Sequence, residues 1–228
     1  MAEGPVAGRA VAPSAAALRN PHEVHLRDGT RAWIFPLLKT DRAALAREFE
    51  TLSPESRRRR FLAPVLHLSE AMLDHLVDDV DGIDHIALVC MAQSTIASED
   101  GEEPSPEILP VGIARIVRYP DPPDAADLAV TVKDDWQGRG VATALLSVLM
   151  PQRPAGVTHI LTEVVSDNPA SLNMLRRLGE VHIEDPGSGT LEVEVDLDGG
   201  GRHPAGAPVP SDRRRWLHTR DRLCPWLA

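Results

Sequence analysis

Apolar and polar positions alternate along the chain in a pattern that changes texture near residue 85. Val24 to Leu26 and Arg31 to Phe35 read as two short strands around the turn pair Asp28-Gly29. Thr40 or Asp41 can N-cap a helix running to about Leu52. Its apolar residues Leu45, Phe49 and Leu52 are spaced by four and three and make one face. Ser53-Pro54-Glu55 predicts a second helix start, a cap followed by proline at the first helical position. Ser69 opens a third helix with Met72, Leu73, Leu76 and Val77 on one side.

Beyond these helices, strands dominate. Ile86 to Met91 is a continuous apolar run, the pattern of a strand covered on both faces. The acidic, proline-containing stretch from Ser98 to Pro110 reads as a loop. Val111 to Arg118 reads as a strand with Val111, Ile113 and Val117 inward. A proline-rich turn follows at Asp121 to Asp124, then a strand from Ala126 to Val132, a loop from Lys133 to Gly138 and a helix from Arg139 or Gly140 to near Met150. His159 to Val165 predicts a strand, Pro169 to Leu178 a helix stopped by Gly179, and Val181 to Glu184 with Leu191 to Leu197 a last strand pair. Helices in front, then strands interleaved with two helices, place the chain in the α/β (α+β) class. The expected division is a tail over 1–20, one domain over 21–197, and a Gly/Pro-rich linker with a C-terminal tail over 198–228. In that tail Trp216, Leu217, Leu223, Trp226 and Leu227 form a candidate dimer contact.

Composition narrows the function classes. The 228 residues carry 24 basic and 34 acidic side chains, a formal charge of −10. This balance argues against general nucleic-acid binding, leaving Arg57–Arg60 and Arg213–Arg215 as local exceptions. The former is read either as a solvated helix face or as a patch for an acidic ligand. Cys90 and Cys224 cannot form a disulfide framework, so a cytoplasmic setting is expected. No apolar run is long enough to cross a membrane. The histidines lack metal-ligand spacing, and no metal is expected.

The chemistry concentrates between Leu128 and Ala144. A strand leads through Lys133-Asp134-Asp135-Trp136 into Gln137-Gly138-Arg139-Gly140-Val141-Ala142-Thr143, which opens an apolar helix. Glycines at such a turn allow close backbone approach, and the free N–H groups of a helix start favour phosphate oxygens. The P-loop lysine is missing, and Thr143 stands where a dinucleotide motif needs its third glycine. Gln137, Gly140 and Ala142 instead satisfy Gln/Arg-x-x-Gly-x-Gly/Ala.

This segment resembles the coenzyme A-binding motif of the GNAT superfamily of N-acetyltransferases. Ser166-Asp167-Asn168-Pro169-Ala170-Ser171 and the helix closing with Leu178-Gly179 resemble the family's second motif. Leu52-Ser53-Pro54-Glu55-Ser56-Arg57 and Leu68-Ser69-Glu70 resemble the branch that includes bacterial protein-lysine acetyltransferases. The resemblance implies a mixed, mainly antiparallel sheet flanked by helices and splayed at the acetyl-CoA site. It implies transfer of an acetyl group to a primary amine, on a protein lysine or a small molecule. The backbone of Val130, Thr131 and Val132 would line the pantetheine arm, with the Val130 N–H on the thioester carbonyl. The N–H groups of Gln137, Gly138, Arg139, Gly140, Val141, Ala142 and Thr143 would hold the pyrophosphate, the Arg139 side chain adding charge. Asn168, with Ser171 nearby, would meet the pantetheine or the splayed strand end. Asp127 stands where the branch often has Glu, and would act as general base through a water; the alternative is a solvated residue at a strand start. The family's tyrosine acid is replaced by Leu175, and Glu180 replaces an apolar residue. The missing tyrosine and the shortened carboxylate of Asp127 motivate a second reading, an acyl-CoA-binding sensor that has lost turnover. A third, nucleic-acid binding through the arginine runs, predicts strongly salt-dependent DNA retention.

Overall fold

The computed structural model describes residues 21–95 and 106–199. Its order is β1 (His22–His25), β2 (Arg31–Pro36), α1 (Arg42–Glu50), α2 (Pro54–Phe61), α3 (Glu70–Leu73), β3 (His85–Thr95), β4 (Pro106–Arg118), β5 (Ala125–Val132), α4 (Val141–Leu149), β6 (His159–Val165), α5 (Pro169–Leu175), β7 (Glu180–Glu184) and β8 (Thr190–Asp196). The eight strands form one sheet in the order β1-β2-β3-β4-β5-β6-β8-β7. Every pairing is antiparallel except β5 with β6. The sheet is therefore mixed and mainly antiparallel, as expected.

Both faces are covered, which explains the unbroken apolar run of β3. Ile86, Leu88 and Cys90 face one cluster together with Leu145 and Leu149 of α4 and Leu175 of α5. Ala87 and Val89 face a second cluster with Phe49, Phe61, Met72 and Leu76 from the front helices. Cys90 is fully buried, and burial pushes its thiol pKa up to about 11, which fits a core residue.

Local signals set the helix starts. Ser53 caps α2 by accepting from the Ser56 N–H at 3.1 Å, and Ser69 caps α3 by accepting from the Met72 N–H at 3.2 Å. After α3 the chain continues as one π-type turn over Asp74–Asp78, so the third predicted helix changes geometry midway. The first and last predicted helices end early, at Glu50 and Leu175.

The largest departure from the sequence reading lies in β4. It begins at Pro106, inside the stretch read as a loop through Pro110, because residues 106–110 pair with Met91–Thr95 of β3. Cys90 pairs with Gly112 and Met91 with Pro110, leaving Val111 as a bulge. The bulge shifts the alternation. Val111, Ala114 and Ile116 enter the first cluster, while Ile113 packs on the second. Val117, expected inward, is only partly buried, and Ile116 takes the core position. The acid-rich residues 99–105 and the tail carrying Trp216, Trp226 and Cys224 lie outside the described residues.

Candidate functional site

A wedge opens where the sheet changes from antiparallel to parallel. β5 and β6 pair only at Ala125–His159 and Ala126–Ile160, and then they part. The Thr162 hydroxyl on β6 donates across the gap to the Leu128 carbonyl at 3.3 Å. On the other edge, the Lys133 N–H donates to the Val111 carbonyl of β4 at 3.0 Å. The two-residue period of a strand then turns the N–H groups of Leu128, Val130 and Val132 toward the wedge and those of Asp127, Ala129 and Thr131 toward β4. The side chains of Val130 and Val132 pack on the first cluster.

The wedge ends at the glycine turn. Asp134–Trp136 is one 3-10 turn, with Trp136 buried. Gly138 and Gly140 both take positive φ, +75° and +96°. Gly140 is the N-cap of α4, with no side-chain cap and no acidic residue in the first turn. The first intrahelical bond runs from the Ala144 N–H to the Gly140 carbonyl at 3.0 Å. The N–H groups of Val141, Ala142 and Thr143 thus have no acceptor within the helix. A helix start without side-chain or acidic competition favours an anion.

Two contacts that the sequence reading missed position this turn. A Cβ on Gly112 would lie 2.8 Å from Val141 Cγ1 and 3.0 Å from the Thr131 carbonyl oxygen. The glycine lets α4 descend onto β4. The β1–β2 turn grips the loop from behind. The Arg27 N–H donates to the Arg139 carbonyl at 3.0 Å, and the Arg27 side chain donates to the Gly138 carbonyl. A Cβ on Gly140 would come within 3.1 Å of the Arg27 nitrogen, so this position requires glycine for space as well as φ.

Arg139 also holds this turn. Its Nε donates to Asp28 at 2.5 Å, its NH2 group donates to Thr30 Oγ1 at 3.1 Å, and its guanidinium lies 4.0 Å from the centre of the Trp136 ring. These contacts brace the loop from the Arg139 side chain. Bonds from Thr30 and then from Arg139 hold the Asp28 pKa down at about 2.

Helix α2 joins the two sequence motifs. Asp134 accepts from the Ser53 N–H at 2.9 Å, the Ser53 hydroxyl at 2.8 Å and the Ser56 hydroxyl at 2.7 Å. Burial raises the Asp134 pKa, but these donors outweigh it and hold the group below its usual value. Gln137 Nε2 donates to Ser56 Oγ at 3.2 Å and to the Val132 carbonyl at 3.3 Å. Arg58 reaches Asp167 at 2.9 Å, just before Asn168. The arginine run is thus neither a plain solvated face nor an open cationic patch. Arg57 donates to the Leu52, Leu66 and Glu50 carbonyls, and Arg59 pairs with Glu55 at 2.7 Å. Only the serine of the Ser53 cap was readable in the sequence; its partner Asp134 is remote.

Asn168 and Ser171 come together, but chiefly with each other. Asn168 Oδ1 accepts from the Ser171 N–H at 3.2 Å and Nδ2 donates to Ser171 Oγ at 2.8 Å, capping α5. Leu175, at the position where the resemblance implies a tyrosine, is buried in the core. Tyr119 donates its hydroxyl to the Leu161 carbonyl of β6 at 3.1 Å. Asp127, half-buried, stands opposite Val117 of β4 and shares the front-helix face with Ala129 and Thr131.

On that same face a cavity of about 820 Å³ lies between the front helices and β2–β5, lined among others by Phe49, Phe61, Val89, Ile113, Arg115 and Thr131. Lys133 and Glu48 pair at 2.5 Å at its β5 side. Arg115 is 4% exposed, donates to the Leu76 carbonyl at 3.0 Å and lies 3.0 Å from His85 Nε2. Burial, and then Arg115, push the His85 pKa down to about 3. Among the described residues no cluster of three or more His, Cys, Asp or Glu could hold a metal ion. None of the described helices is long and apolar enough to cross a membrane.

Comparison with known proteins agrees with this architecture. Residues 66–179 match the model of the Acetyltransferase (GNAT) family. An acetyltransferase of Pseudomonas aeruginosa is 32% identical over 180 residues, 78% of this chain and 90% of that protein. The acetyltransferase Pat of Mycolicibacterium smegmatis is 31% identical over 183 residues, 80% of this chain but half of that longer protein. Among solved structures, the GNAT domain of S. lividans PAT superposes with a TM-score of 0.62 at 28% identity, covering 78% of this chain and 97% of that domain.

Proposed function

The chain belongs to the acetyltransferase (GNAT) family, and from that premise we propose that it transfers an acetyl group from acetyl-CoA to a primary amine. The observation that carries the proposal is the wedge. The β5–β6 ladder stops after Ala126 and leads to a helix start that no side chain caps. In this reading the Val130 N–H lies along the pantetheine arm and donates to the thioester oxygen, where negative charge grows during attack. The N–H groups from Gln137 to Thr143 receive the pyrophosphate. With Arg139 engaged by Asp28, main-chain donors and the helix dipole carry most of that interaction.

The amine must lose a proton to attack, since a free alkylamine has a pKa near ~10. Asp127 takes this proton through a bridging water, its carboxylate being one methylene shorter than the glutamate common in the branch. The amine nitrogen bonds to the acetyl carbon, the carbon–sulfur bond breaks, and CoA leaves as thiolate. No tyrosine at position 175 protonates it; the thiolate is a tolerable leaving group.

The buried Leu175 favours one alternative, an acyl-CoA-binding module without turnover. Titration calorimetry with acetyl-CoA, followed by thiol release over an amine panel, separates the readings. Binding with turnover that drops on Asp127→Ala supports the enzyme, and binding without turnover supports the module. No binding at millimolar acetyl-CoA removes both.

A further inference from the structure

The cavity on the front-helix face is large for the side chain of a protein lysine. Its volume of about 820 Å³ falls within the ~300–1,000 Å³ of sites that bury whole small ligands. A lysine side chain offers four methylenes and a head group, and would leave most of that space unfilled. The walls are hydrocarbon. The Phe49 and Phe61 rings meet edge to face at 5.6 Å, and Leu37, Leu45 and Val89 complete the apolar lining. At the mouth, Phe35, Leu38 and Ile108 are 36%, 55% and 53% exposed. The cavity therefore opens to solvent on its own side of the sheet, and a molecule can enter without passing along the wedge.

The wall carries charges of both signs. Arg60, Lys133 and the buried Arg115, held by the Leu76 carbonyl and adjoining His85, supply the cations. The carboxylates of Asp41 and Glu48 line other parts of the wall, Glu48 sharing its charge with Lys133. Thr131 borders the cavity next to Val130, and Asp127 shares its face of β5. We propose that this cavity is the acceptor site for a small primary amine with a bulky apolar body, the body lying against Phe49, Phe61 and Val89 and the amine directed toward β5. The inference rests on the acetyl-transfer reading above and names its acceptor class.

The test uses the full chain and a straight-chain series from propylamine to octylamine, compared with a lysine peptide. Octylamine binding is first measured by calorimetry without coenzyme, with acetyl-CoA binding measured separately. KM should fall by about fourfold for each added methylene that the cavity buries, and the lysine peptide should behave like the short amines. Leu45→Trp, which fills the cavity from α1, should weaken octylamine binding by about tenfold or more, the equivalent of two lost methylene contacts, with acetyl-CoA affinity unchanged. If circular dichroism shows that this variant does not fold, Ala44→Trp serves instead. A KM independent of chain length, a lysine peptide that saturates below octylamine, or no octylamine binding at millimolar concentration overturns the proposal. Octylamine binding without acetyl-CoA binding would remove the acetyl-transfer reading, and the acceptor role with it.

Discussion

Ser56 on α2 donates its hydroxyl to the Asp134 carboxylate at 2.7 Å, tying the front helices to the turn that leads into α4. Ser53 adds two further bonds to the same carboxylate. Asp134→Ala should remove all three. The expected loss of stability is on the order of 1 kcal/mol, because the cluster is partly solvated. Acetyl-CoA affinity should fall as well, since the loop loses its brace. Urea unfolding and calorimetry on the same variant measure the two effects, and unchanged values in both would show that the latch positions nothing.

The His85 environment predicts a pH dependence. Its folded-state pKa is depressed to about 3, against 6.5 for the free side chain. Below pH 6.5 the unfolded chain binds a proton that the folded protein refuses. The stability contribution is therefore complete above 6.5 and is lost progressively as pH falls toward 3, by at most about 1.4 kcal/mol per pH unit. Urea midpoints measured from pH 7.5 to 5 should decline in the wild type and decline less in His85→Gln. Parallel curves would refute the assignment.

Asp28 predicts a second acid-sensitive contact, behind the glycine turn. Thr30 and Arg139 hold its pKa at about 2. This contribution is present above the unfolded carboxylate value and disappears as pH falls toward 2. Asp28→Asn should flatten the acid limb of the unfolding profile and free Arg139 from its brace. An acid limb identical to that of the wild type would count against the contact.

Gly112→Ala should be destabilising by about 1–3 kcal/mol, the usual cost of overpacking. The added carbon would meet Val141 Cγ1 at 2.8 Å and push α4 from the sheet. Because the shift occurs at the first turn of α4, acetyl-CoA affinity should decrease in parallel. Thermal melts and calorimetry test this, and an unshifted melting temperature would contradict the packing argument.

Asn168→Ala should cost about 1 kcal/mol through loss of the α5 cap. Asn168→Asp keeps an acceptor for the Ser171 N–H and should recover most of that stability. If both variants also lose acetyl-CoA binding equally, Asn168 contributes through its amide as well as through the cap.

The chain's local chemistry was enough to place most elements. Ser53, Ser69 and Asn168 mark helix starts because a cap joins residues only three apart. The apolar run of β3 signals a doubly covered strand, and the glycines at 138 and 140 signal a strand-to-helix turn with exposed N–H groups. The same locality explains the failures. Residues 106–110 look like loop because their acidic and proline-containing surroundings hide a pairing made by Met91–Thr95. The bulge at Val111 exists only in the register between two strands, so no alternation within β4 could announce it. The bond from Arg139 to Asp28, 111 residues away, forms only in the assembled fold. Ser56 and Asp134 are 78 residues apart, and the cavity draws its walls from Phe35 through Lys133. Sequence determined most of the elements, the glycine turn and the family resemblance, because these depend on neighbours along the chain. Tertiary structure decided where charge is neutralised, which face Asp127 shares and how much apolar space adjoins it, because those depend on residues that meet only when the sheet is assembled.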